Sequence, residues 1–260
     1  MMKWTLFDDQ TAPIITAEKH INSRHGSENA CSLPETCVIF EIGIALRFLE
    51  SNFETITLFE KLPCFLENSK CISIKGNKNV CFTRGGYGAP AAVDTLETIR
   101  ALGVKRIVIV GMCGGFTDGI NVGNVIVPIK VLCEEGTSFH YFEHIEFAEP
   151  DMSLFDRAKS YFSEKFKVTT NATVTSDSFY RQTFAKEKFW REKGCIGVDM
   201  ESSALLSVSK YYSLPAVSIL LCSDKHPISE QDTEWGWGDK NFKQTRENFI
   251  RQSVMFALQL

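Results

Sequence analysis

The 260-residue sequence has no apolar run near the roughly 18 residues that a membrane-crossing helix needs, so no span is expected. It also lacks an internal repeat and a low-complexity tract, which argues against a solenoid or a disordered chain. The first residues, MMKWTLFDDQ, lack the apolar core of a signal peptide, and a cytoplasmic location is expected. Excess charge of one sign is scarce: 28 Lys and Arg stand against 32 Asp and Glu, a net charge of −4. That mild balance argues against nucleic-acid or membrane-surface binding as the main task. No two cysteines form a CxxC pair, and their number, nine, is odd. Several lie inside apolar strand-like runs, such as Cys81 in NVCFT and Cys222 in SILLCSD. Reduced, mostly buried thiols are expected, not a disulfide framework.

What is present suits one large folded unit. Apolar residues make up 44% and charged residues 23%. Residues 1–36 are mixed and read as an N-terminal extension packed on a domain spanning 37–260. From Thr36 onward short apolar runs alternate with helical patterns. CVIF, ITLF, KCISIK, KNVCFTRG, KRIVIVG, GNVIVPIKVLC, TTNATVTSD, CIGVDM and PAVSILLCSD read as strands. Helices are expected after CVIF, from Pro90 to a cap at Gly103, and over about 152–165, 184–192, 200–212 and 240–259. Strands interleaved with helices imply an α/β layered domain. Ligands in such sheets sit beyond the carboxyl ends of the strands.

Four of those ends carry residues suited to a site. In TRGGYGAP, Gly86, Gly88 and Ala91 match a dinucleotide fingerprint, but the next strand ends without an acidic residue to hold a ribose. The glycines then serve a tight turn instead of a nicotinamide cofactor. In VGMCGG, Gly111, Gly114 and Gly115 let backbone N–H groups approach an anion or a sugar, or simply form a bend. In GVDMESSAL, Asp199 and Glu201 flank Met200 where a strand meets a helix. Carboxylates there accept bonds from sugar hydroxyls or cap the helix. In LLCSDKHP, Asp224 lies just past an apolar run, where desolvation would raise its pKa and let it carry a proton. His140 and His144 have i, i+4 spacing without an apparent third ligand, so no metal is expected. EWGWGDKNF (234–242) reads as a lid over the site or as a packing loop.

Together, VGMCGG, EEGTSFHY (134–141), TSDSFY (175–180) and GVDMESSAL resemble the nucleoside phosphorylase superfamily, from about Val38 to Phe256. The resemblance implies a three-layer α/β/α sandwich with a mixed, partly barrelled sheet. It implies a homo-oligomer, a dimer or trimer of dimers, that needs no cofactor and cleaves an N-glycosidic bond with inorganic phosphate. It also implies roles. Glu201 holds the ribose hydroxyls and Met200 packs on the sugar. Phe179 stacks on the base. Val198, Cys113 and Gly114 line the ribose and base. Asp224 protonates a purine. Gly43, Arg47, Gly111 and Met112 surround the phosphate.

The departures are specific. Members that use phosphate carry an arginine and a serine or threonine where Ile109 and Met112 stand. Arg84, at the end of the neighbouring strand, is one replacement for that guanidinium. VGMCGG with SDKHP is also similar to AMP nucleosidase, a hydrolase of the same superfamily. The positions that read uracil hold Thr183 and Ala185, which favours purine, although Arg181 and Gln182 nearby leave a uridine phosphorylase open. A nucleoside-binding protein without catalysis is a further alternative.

Overall fold

The computed structural model describes residues 11–23, 32–66, 68–232 and 234–260. The expected extension at 1–36 is therefore seen only in part, and Cys31 lies outside the described residues. In chain order the elements are α1 (Ala17–Ile21), β1 (Thr36–Phe40), α2 (Ala45–Asn52), β2 (Thr55–Phe59), β3 (Cys71–Ile74), β4 (Val80–Arg84), α3 (Ala89–Ala101), β5 (Arg106–Gly115), β6 (Val125–Ile126) and β7 (Val131–Glu134). They continue with β8 (Phe147–Ala148), α4 (Met152–Ser163), β9 (Val168–Thr169), β10 (Ala172–Ser176), α5 (Phe184–Glu192), β11 (Cys195–Asp199), α6 (Ser202–Tyr211), β12 (Ala216–Lys225) and α7 (Phe242–Ala257).

Every side chain of β1 is buried, which requires a layer on each face of the strand. The pleat supplies both. Cys37 and Ile39 join a core shared with α1, α3 and α6, while Val38 and Phe40 join one shared with α2, α4 and α7. β5 repeats the division, with Ile107 and Ile109 on one side and Val108 and Val110 on the other. The result is the expected three-layer α/β/α sandwich. At about 25 cal/mol for each Å² of apolar surface removed from water, these two cores are the main drive for folding.

The sheet runs β2-β3-β4-β1-β5-β11-β10-β7-β8, with β12 pairing to both β5 and β6. β5 has three partners: β1 along Arg106–Val110, β12 from Ile107 onward, and β11 at Gly114–Gly115. A strand that changes partners along its length forces the sheet to branch and curl, which is the partly barrelled feature. β1, β4, β5 and β12 are parallel, so their carboxyl ends share one edge.

Two long expected strands are broken. GNVIVPIKVLC divides into β6 and β7, because Pro128 has no N–H to give to a ladder. TTNATVTSD divides into β9 and β10. Pro90 lies in the first turn of α3, and Gly103, at φ +103°, follows its C-cap as expected. All eight described cysteines are buried and unbridged. Among the described residues no helix is long and apolar enough to cross a membrane.

Candidate active site

Glu201 is the N-cap residue of α6, yet its side chain does not cap the helix. Asp199 does so, accepting from Ser202 N at 3.0 Å and from Thr175 Oγ1 at 2.5 Å. Glu201 is thereby free for a long-range contact, and its Oε1 accepts the Gly88 N–H at 2.8 Å. Gly88 has φ +89° in the turn between β4 and α3, a conformation that favours glycine. Glu41 lies at the same level. Its Oε2 accepts the Gly86 N–H at 3.0 Å, and its Cβ approaches Gly111. Burial pushes the Glu201 carboxyl well above its ordinary range, and the charges of Glu41 and Asp199 act in the same direction. Burial likewise lifts Asp199 to about 6 against its hydrogen bonds.

Asp224 occupies the other end of the same strand edge. It pairs in register with Gly114 of β5, after a bulge at Ser223 that turns its side chain. On the opposite side of β5, Val198 also pairs with Gly114, two residues before Met200 and three before Glu201. Gly111 and Gly114 are three residues apart, about 10 Å of strand. The Glu41–Glu201 level and the Asp224 level are therefore separated by that length along β5.

Asp224 is ringed by donors. Oδ1 accepts from Ser223 Oγ at 2.6 Å; Oδ2 accepts from Trp235 Nε1 at 2.9 Å and faces His226 Nε2 at 3.1 Å. The expectation of a raised pKa is reversed here. Desolvation does push upward, but His226, Ser223 and Trp235 outweigh it and hold the carboxyl below its usual range. The 234–238 segment covers Asp224 through Trp235, a bridge from Trp237, and Gly238 N bonded to Ser223 O at 2.8 Å. The segment therefore lies over Asp224.

The remaining candidates divide. Met200 is half-buried between β11 and α6, beside Glu201. Cys113 and Val198 are buried in the core, so only their backbone is available at the edge. Phe179 is half-exposed, its ring centroid 4.0 Å from that of Tyr180. Gly43 adjoins the Tyr87 hydroxyl, and Arg84 Cζ lies 4.5 Å from the centre of the Tyr87 ring. Arg84, Tyr87 and Gly43 thus gather near the Gly88 turn, and Arg84 Nε is buried without a hydrogen-bond partner. Arg47 is exposed on α2. Ile109 is fully buried in the α3–α6 core, and Met112 packs on the opposite core. Neither offers an anion a cation or a hydroxyl. Among the described residues no group of three or more His, Cys, Asp and Glu is arranged to hold a metal. Depressions of about 440 Å³, beside Tyr161 and Phe256, and about 310 Å³, beside Pro215 and Ala216, include none of these residues. The second lies at the amino end of β12, away from Asp224.

The model of the phosphorylase superfamily matches residues 41–259. The chain belongs to that superfamily. Among its relatives, a DeoD-type purine nucleoside phosphorylase of Brevibacillus brevis is 30% identical over 191 residues, covering 71% of this chain and 81% of that protein. One of Alkaliphilus metalliredigens is 25% identical over 247 residues, covering 93% and 98%. The Toxoplasma gondii purine nucleoside phosphorylase solved with immucillin-H shares the fold, with a TM-score of 0.74, 16% identity, and coverage of 95% and 97%. The Vibrio fischeri uridine phosphorylase shares it too, at 0.70, 22%, and the same coverage.

Glu41, Tyr87, Glu187 and His226 lie against the candidate site residues, and sequence reasoning missed them. Only His226 carried a signal: it lies two residues after Asp224, just past the end of β12. Glu187 comes from α5 and reaches the site only through tertiary packing.

Proposed function

We propose that this protein is a nucleoside phosphorylase that releases a purine base, with inorganic phosphate as co-substrate and no cofactor. The observation that carries the reading is the placement of Glu201 and Asp224 on either side of β5, about one nucleoside apart. Glu201, with Met200, holds the ribose. The base lies toward Asp224, beside Phe179, and takes the place of the Trp235 indole when the 234–238 segment opens. Bond breaking leaves positive charge on the sugar and negative charge on the base, and a proton delivered near Asp224 relieves the second. Gly43, Arg84 and the Gly111 backbone form the anion side, with Arg47 outside it. Supporting this reading, the curated relatives are named purine nucleoside phosphorylases. Assembly as a homo-oligomer in the cytoplasm belongs to the same proposal.

A second reading has its own observation. Ile109 and Met112 are apolar, and the carboxylate of Glu41 stands beside Glu201, so the anion side holds less positive charge than phosphate binding calls for. That favours a nucleosidase using water on a nucleoside or AMP. One experiment separates the two: turnover of adenosine, inosine, uridine and AMP, each with and without phosphate. The phosphorylase reading expects purine nucleoside cleavage that depends on phosphate and yields ribose 1-phosphate. Equal rates without phosphate would establish the hydrolase instead, and preference for uridine would overturn the purine assignment.

A further inference from the structure

His226 stands between two carboxylates. Its Nε2 lies 3.1 Å from Asp224 Oδ2, and its Nδ1 lies 2.6 Å from Glu187 Oε1. The side chains of His226, Glu187 and Asp224 are 14%, 7% and 5% exposed. A neutral imidazole has one N–H and one lone pair, so it would turn its lone pair toward one of these acceptors. Only the imidazolium donates to both. The other neighbours do not upset this balance. Gly114 and Trp235 bring no charge, and Arg191 lies behind Glu187, its Nη1 3.7 Å from Oε2. Burial opposes the charge on the ring, but hydrogen bonds to Asp224 and Glu187 prevail and push His226 up to about 9. The ring also has a prepared place, because a Cβ on Gly114 would overlap Nε2.

We propose that His226 stores the proton that Asp224 delivers to the leaving base. The inference rests on Asp224 being the group that faces the base. Held ionised by three donors, Asp224 has no proton of its own to give near neutral pH. In the step, Nε2–H passes to Oδ2, and the resulting carboxylic acid donates to a ring nitrogen of the base. The C1′–N bond breaks with its electron pair going to the base, while the nucleophile's oxygen bonds to C1′. His226 is left neutral with Nδ1–H still on Glu187, and it regains its proton from solvent after the product leaves. Because it acts through Asp224, His226 is a positioning residue, and Glu187 fixes its ring and tautomer.

The test is H226Q, whose amide still donates to Asp224 but carries no mobile proton. At pH 8 on a purine nucleoside, kcat should fall at least about tenfold with KM within about twofold. The alkaline limb of the wild-type pH profile should move to lower pH, and E187Q should move it the same way. A purine nucleoside methylated at N7 leaves without needing a proton, so H226Q should cleave it at the wild-type rate. Equal loss on both substrates would mean a purely structural role and overturn the inference. If D224N loses activity while H226Q keeps the wild-type profile, the proton store fails alone. If D224N is fully active, the assignment of Asp224 fails with it. Should H226Q not fold, NMR titration of the wild-type imidazoles decides. A His226 resonance titrating near 9 supports the inference, and one at the ordinary 6.5 contradicts it.

Discussion

The two ends of the β5 edge bury carboxylates to the same degree and treat them in opposite ways. Glu201 and Asp224 are 6% and 4% exposed. Around Glu201 the neighbours are a backbone N–H and two further acids, and the carboxyl is pushed toward its neutral form. Around Asp224 they are an indole, a hydroxyl and an imidazolium, and the carboxyl is held ionised. Burial alone therefore predicts neither state; the partners decide. A neutral or shared-proton acid suits hydrogen bonding to sugar hydroxyls, because it both donates and accepts. An ionised acid beside a proton donor suits transfer to a leaving group. Groups whose surroundings drive their protonation apart mark a division of labour.

Substitution at Asp224 gives the sharpest contrast. Asp224→Asn should lower kcat on purine nucleosides by about 10²–10⁴-fold, the usual worth of general acid catalysis, with little change in KM. Glu201→Gln should cost less, about 2–10-fold in kcat/KM, as a hydrogen bond between neutral groups is worth about 0.5–1.5 kcal/mol. Its loss should shrink on a 2′,3′-dideoxy nucleoside, which has no hydroxyls to hold. Steady-state kinetics of both variants would break the comparison if the dideoxy substrate rescued Asp224→Asn instead.

Gly114→Ala should disturb the Asp224 end alone. The added methyl collides with His226, so activity should drop and the imidazole titration should fall toward 6.5, while thermal unfolding shifts by a few degrees. The smallest effect is on stability. The folded His226 has its pKa raised above 6.5, so its contribution is complete below that pH and disappears as pH rises through about 9. The unfolding free energies of wild type and H226Q should accordingly converge between pH 6.5 and 9, as measured by denaturant titration.

Much of this was legible in the sequence, and the reasons are local. Buried parallel strands such as IVIV are apolar at every position, and Pro90 and Gly103 punctuate α3 by their own backbone chemistry. Asp224 and Glu201 could be placed because the first lies at the carboxyl end of a strand and the second where a strand gives way to a helix. Pro128 was the missed signal in the divided strand. The direction of the Asp224 shift was not legible, because Trp235 and His226 meet it only once the chain has folded. Glu187 and Glu41 belong to the same class: each is ordinary in its own segment and becomes informative through a neighbour dozens of residues away.

In the proposed reaction two acids serve one substrate, and a crystal structure with a purine nucleoside and phosphate bound tests this most directly. Ribose hydroxyls should lie against Glu201 and the base against Asp224, with Trp235 displaced from Oδ2. A nucleoside that touches only one of the two carboxylates, or lies elsewhere on the molecule, would contradict it.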